Sequence, residues 1–105
     1  EALFREGLAA REKVQPDGWR TFNTQSLLGA ALLAQKKYAE AEAPLIKGFE
    51  GMKQRRKSME ALGDVRVPEA LDRLIELYTA TNRPEEAEKC RVERTKAMAT
   101  KAAQP

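Results

Sequence analysis

A repeated segment constrains the fold of this chain more than any other feature. The run 34–42 returns as 80–88 at a step of 46 residues, and each copy follows an apolar segment with helical spacing. A third match, Leu3-Phe4-Arg5 with Leu45-Ile46-Lys47, occurs at a step of 42. Repeats of about 20–50 residues are typical of stacked helix pairs, which usually bind other proteins. We therefore expect half a pair, a full pair and a final full pair, in a piece of a longer protein.

The apolar spacing predicts five helices, and no segment alternates as a strand would. We expect helices over 1–14, 19–35 and 38 to about 62, a fourth that begins near Pro68, and a fifth from Pro84 to beyond Met98. Pro44 should kink the third helix, and Gly63 suits the position just past its end. Short turns between long helices predict antiparallel neighbours and an all-α fold. The repeats are placed at 1–14, 19–62 and 67–101, with a tail at 102–105.

The composition narrows the possible functions. The net charge of +3 is spread along the chain, whereas nucleic-acid binders usually concentrate basic and aromatic residues. Histidine is absent and there is one cysteine, Cys90, so the commonest general base and the common metal-ligand sets are missing. No apolar run approaches the roughly 20 residues that span a bilayer. We expect no enzyme activity, no cofactor or metal, no nucleic-acid or membrane partner, and a cytoplasmic location.

The repeated residues resemble tetratricopeptide repeats. That family has Leu-Gly in the first helix of a pair, followed by an aromatic residue, an alanine and an apolar residue. The positions are filled by Leu28-Gly29, Leu32, Ala41 and Leu45 in one copy. In the other copy Leu74, Ile75, Tyr78, Ala87 and Arg91 stand there. Small residues at Gly29, Ala41 and Ala87 would allow close helix packing. The resemblance implies a right-handed α-solenoid of five helices, and Arg91 would suit a terminal helix that no further repeat covers.

The 42-residue step is similar to the kinesin-light-chain type of this family. The segment Trp19–Gly29, followed by 37–42, resembles repeat arrays near the C-terminus of large bacterial proteins. Many of those proteins carry a Ser/Thr protein kinase domain. The resemblance therefore implies a C-terminal scaffold module for protein–protein interaction. The alternatives are a structural cap or a regulatory segment of a multidomain kinase.

In this family the first helix of each pair lines a groove that holds a peptide or protein partner. Carried over by position, the resemblance implies ten groove residues: Asn23, Ser26, Leu27, Ala30 and Leu33 on the second helix, and Glu69, Asp72, Arg73, Glu76 and Thr79 on the fourth. The second group is acidic apart from Arg73, which would favour a basic or mixed-charge partner. The competing interpretation is a solvated helix face.

Several other residues have both a structural and a functional interpretation. The basic run Lys53, Arg55, Arg56 and Lys57 could contact phosphates, but it also suits the end of a helix. Trp19 could anchor a partner or pack between the first two helices. Cys90 is expected to be an inert small residue, and the glutamates at 40, 42, 85 and 86 should favour helix starts. The unpaired first helix could also associate with a second copy of the chain.

Overall fold

The computed structural model describes the backbone of residues 1–103 and the side chains of residues 1–99. It contains five α-helices: α1 Ala2–Val14, α2 Trp19–Ala34, α3 Tyr38–Gln54, α4 Gly63–Ala80 and α5 Pro84–Ala103. A 3-10 helix over Arg56–Leu62 joins α3 to α4, and no strand occurs in 1–103. The all-α prediction is confirmed. Of the predicted tail, residues 102 and 103 belong to α5, and the last two residues lie outside the described part.

The link between α3 and α4 differs from the prediction. Helix α3 ends at Gln54 instead of near residue 62, and α4 begins at Gly63 instead of near Pro68. Glu60 leaves the helical conformation (φ 55°, ψ −133°), whereas Gly63 has the helical φ of −59° and opens α4. Pro68 lies inside α4, where its ring nitrogen cannot donate to the Asp64 carbonyl. The four extra residues of the second repeat step therefore fall in and around the 3-10 segment.

The turns after α2 and α4 have the same backbone geometry. Lys36 and Asn82, which are 46 residues apart, have φ of 61° and 56°. In the first turn Lys37 N–H donates to Leu32 O at 2.9 Å, and in the second Arg83 N–H donates to Tyr78 O at 2.8 Å. The preceding N–H donates in both cases to the carbonyl three residues back, which completes a Schellman motif. The sequence repeat is thus also a repeat of hydrogen bonds.

Each helix packs chiefly on its neighbours in the chain, with α2 also touching α4. The molecule measures 40 × 36 × 15 Å, and its smallest dimension matches two helix layers at about 8–10 Å between axes. Similar ion pairs link successive helix pairs. Lys37 contacts Glu1 at 3.2 Å, and Arg83 contacts Glu42 at 2.5 Å. The cation before each second helix therefore reaches the start of the preceding second helix.

Small residues allow α2 and α3 to approach closely. A Cβ added at Gly29 would lie 2.5 Å from Leu45 Cγ, and one at Gly51 would lie 2.2 Å from the Phe22 ring. Ala41 and Ala87, the other predicted small positions, are 0% and 1% exposed. The predicted close packing is confirmed at Gly29, and Ala41 and Ala87 are buried. Helix α3 also continues across Pro44, which is buried.

Candidate partner-binding surface

The ten predicted groove residues lie on α2 and α4, which meet through a hydrogen bond. Arg73 Nη1 donates to Ser26 Oγ over 2.9 Å and joins the two helices. We call the surface formed by these ten residues the α2–α4 face. The sequence therefore placed the ten residues on two helices that touch. Their side chains differ in exposure to solvent.

Two members of the α2–α4 face are buried. Ser26 is 0% exposed and Leu33 is 5% exposed, so a partner cannot reach either side chain in this structure. Their assignment as contact residues is corrected: Ser26 accepts the Arg73 hydrogen bond and Leu33 belongs to the apolar core. The other members are half-buried (Asn23, Leu27, Ala30, Glu69, Arg73) or exposed (Asp72, Glu76, Thr79).

Asp72 is engaged by the neighbouring helix. Arg94 on α5 donates to both of its carboxylate oxygens, at 2.6 and 3.3 Å. In the first pair the positions 46 residues earlier are Ser26 and Gly48, which approach closely without charge. Asp72 therefore links α4 to α5, and because its side chain is 51% exposed it stays a predicted contact residue.

Arginines beside the α2–α4 face offset part of its negative charge. Arg66, which the sequence analysis did not include, donates to Glu69 over 2.8 Å. Burial lowers the pKa of Arg73, while the nearby Glu69 opposes that shift. Glu69 and Asp72 are both paired to arginines, so among the described residues Glu76 is the carboxylate of this face without an arginine partner, and it is exposed. Arginine at i−3 from Glu69 was the signal in the sequence that could have revealed this balance.

Two buried acceptors lie on α2. Asn23 Oδ1, one turn before Ser26 on α2, is buried and has no hydrogen-bond partner among the described residues. Gln25 Oε1 is in the same situation. Although buried acceptors are usually paired, these two oxygens are polar groups enclosed by the helix packing and are out of a partner's reach.

Most side chains of the basic run 53–57 interact with other residues of the chain. Lys53 pairs with Glu93 at 2.6 Å and Arg56 with Asp64 at 2.8 Å. Arg55 donates to the Asp17 carbonyl and lies 4.6 Å from the Phe22 ring centroid. Lys57 is exposed. Three of the four basic residues thus serve helix packing.

Trp19 and Cys90 both pack against the core and are half-buried. Burial, followed by the charges of Glu93 and Glu86, raises the pKa of the Cys90 thiol. A thiol of raised pKa is protonated at neutral pH and reacts slowly. Within the described part of the chain, no group of three His, Cys, Asp or Glu residues is placed to hold a metal ion. None of the described helices combines the length and apolar character needed to cross a bilayer.

Comparisons of the chain with models of protein families, with curated proteins and with solved structures found no match.

Proposed function

We propose that this chain is a protein- or peptide-binding module of the tetratricopeptide type, with the α2–α4 face as its binding surface. The observation that carries the proposal is the repeated pair: two helix hairpins have the same turn, and each is joined to the preceding helix by the same kind of ion pair. A stack of such pairs aligns α2 and α4 side by side. Neighbouring first helices of this kind form a continuous surface for a partner.

The chemistry of the face favours an extended segment of mixed charge. Glu76 would attract a basic side chain, and half-buried Arg73 would attract a carboxylate or carbonyl oxygen. A partner that alternates basic and polar groups would satisfy both. By extension from the resemblance, we propose a scaffold role within a larger bacterial protein, for which kinase association is the specific case to examine.

Reversal of the charge at Glu76 tests this proposal. The probes are fluorescein-labelled extended peptides of alternating Lys and Ser, of alternating Lys and Glu, and of alternating Glu and Ser. We expect the two lysine-containing peptides to bind, and Glu76→Lys to weaken them about threefold or more. Glu50→Lys, which makes the same charge change on exposed α3, is the control. Equal weakening by both variants, or preference for the acidic peptide, would contradict the proposal.

A structural cap is the second candidate, and one observation favours it. Arg91 is exposed at the position where Leu45, 46 residues earlier, is fully buried. A charged outer helix is what a terminal repeat needs to remain in solution. If none of the three peptides binds, and deletion of α4 and α5 from the full-length parent only lowers its stability, the capping function is the correct one.

A further inference from the structure

A groove of about 420 Å³ lies between α3 and α5, with α4 as its floor. We call it the α3–α5 groove. Its apolar lining comes from Phe49, Val67, Leu71, Val92 and Ala97. Its volume is in the range of about 300–1,000 Å³ that is common for ligand clefts. The described residues that line it belong to α3, the 3-10 segment, α4 and α5, so it is separate from the α2–α4 face.

The groove exists because α5 packs differently from its counterpart α3. Gly48 and Gly51, which bring α3 close to α2, correspond at the 46-residue step to Arg94 and Ala97. Long polar side chains connect α5 to its surroundings: Lys53 on α3 reaches Glu93 over 2.6 Å. Arg56 Nη2 also donates to the Ala97 carbonyl over 3.1 Å. Such bridges join α3 and α5 across a gap instead of closing it.

An apolar side chain is exposed to solvent at this gap. Val92 lines the groove and is 46% exposed. Its counterpart at the repeat step, Ile46, is packed against the core. The same position is thus covered in one pair and uncovered in the other.

The rim of the groove is basic. Lys53, Arg56, Lys89 and Lys96 line it together with one acidic residue, Glu93. Asp64 lies beside Arg56 and Glu86 lies 3.8 Å from Lys89, so the four cations exceed the three nearby carboxylates by one charge. An apolar floor with a positive rim is complementary to a ligand that has apolar groups flanked by carboxylates.

We propose that the α3–α5 groove binds an acidic amphipathic helix of a partner protein. Along α5 the groove runs from Lys89 to Ala97, which is about 12 Å or two helical turns. Apolar residues at i, i+3 or i+4, and i+7 of an incoming helix would contact Val92 and Phe49 over that length. Its carboxylates would lie against Lys89 and Lys53.

Glu93 acts in this arrangement as an internal competitor. It already supplies a carboxylate to Lys53, and a bound acidic helix would replace it at that ammonium group. Removal of the Glu93 charge should therefore strengthen binding, whereas reversal of the Lys89 charge should weaken it. The two variants lie on the same helix, so their opposite expected effects separate the proposal from a general loss of packing.

The test uses two labelled peptides of about fourteen residues, a common helix length. The first carries leucines at helical spacing with glutamates between them, and the second has lysine for each glutamate. By fluorescence anisotropy we expect saturable binding of the acidic peptide. Lys89→Glu should weaken it about threefold or more, and Glu93→Gln should strengthen it about twofold to fivefold. Lys47→Glu and Glu50→Gln, on the exposed part of α3, are the matched controls.

Several results would overturn the proposal. They are equal binding of the basic peptide, no saturable binding of the acidic one, equal effects of Lys89→Glu and Lys47→Glu, or weaker binding after Glu93→Gln. Saturable binding of free dodecanoate without the peptide would assign the groove to a small amphiphile instead. A concentration-dependent doubling of mass that Lys89→Glu abolishes would assign it to a second copy of the chain. Glu76→Lys should leave acidic-helix binding unchanged, which distinguishes this site from the α2–α4 face.

Discussion

Replacement of Gly48 by alanine tests how closely α2 and α3 pack. A Cβ at this position would lie 2.7 Å from both Phe22 O and Ser26 N, whereas ordinary contact begins at 3.4 Å. Both atoms belong to the α2 backbone, so rotation of a side chain cannot relieve the overlap. The helices must separate locally by about 0.7 Å, and overpacking of this kind costs about 1–3 kcal/mol. Alanine gains about 0.5–1 kcal/mol of helix propensity over glycine, which leaves a net loss of about 0–2.5 kcal/mol.

Gly7 provides the matched control for this substitution. It lies within α1, and a Cβ there would have Thr24 Cγ2 as its nearest neighbour at 3.9 Å. Gly7→Ala should therefore stabilise the chain by about 0.5–1 kcal/mol. Urea unfolding followed by circular dichroism measures both variants, and thermal unfolding should shift by about 4 °C per kcal/mol. The reasoning is refuted if Gly48→Ala stabilises the protein as much as Gly7→Ala does.

Three further predictions concern single side chains. Lys36→Gly should stabilise the chain by about 1 kcal/mol in urea unfolding, because Lys36 has φ of 61° and a left-handed conformation is costly for residues with a Cβ. Asn82→Gly should stabilise the chain less, since asparagine tolerates the left-handed region. The Arg83 guanidinium lowers the pKa of Glu42. The stabilisation that this ion pair gives the folded chain is therefore complete above the ordinary pKa of 4.5, and it is lost as the pH falls through the lower pKa of the folded state. Glu42→Gln should flatten this acid dependence of the urea midpoint, and an unchanged profile would contradict the assignment. Cys90 should react with a thiol-specific disulfide reagent more slowly in the folded chain than in the urea-unfolded chain, and equal rates would contradict its packing against the core.

Most helix limits could be predicted because they depend on local signals. Pro16-Asp17-Gly18 ends the first helix and Pro84 starts the last, as the structure has them. The segment 55–62 could not be predicted in the same way, because its composition favours a helix. Its break goes with packing against distant parts of the chain: Met59 is buried, and Arg56 donates to the Ala97 carbonyl, 41 residues away. Tertiary packing therefore decided the two helix limits, the end of α3 and the start of α4, that local propensity placed wrongly.

The candidate site was predictable to the level of the helix face and no further. Position in the repeat placed Ser26 and Arg73 on touching helices, and the structure joins them. Whether a residue is buried depends on how α2 and α4 are rotated about their axes relative to the neighbouring helices. A single sequence does not specify that rotation. The repeat suggests the Asp72–Arg94 pair. The 46-residue step that relates Ser26 to Asp72 also relates Gly48, which lies against Ser26, to Arg94.

The packing of each helix on its neighbour in the chain also has a consequence for folding kinetics. Contacts between nearby segments require little loop closure, and helical proteins with such local contacts fold in microseconds to milliseconds. Here α2 packs mainly on α1 and α3, and α4 on α3 and α5. The α2–α3 hairpin, with its glycine contacts, can therefore close before α4 and α5 have been synthesised. The helices can dock in the order in which the ribosome releases them, so the nascent chain need not wait for its C-terminal residues to begin burying its core.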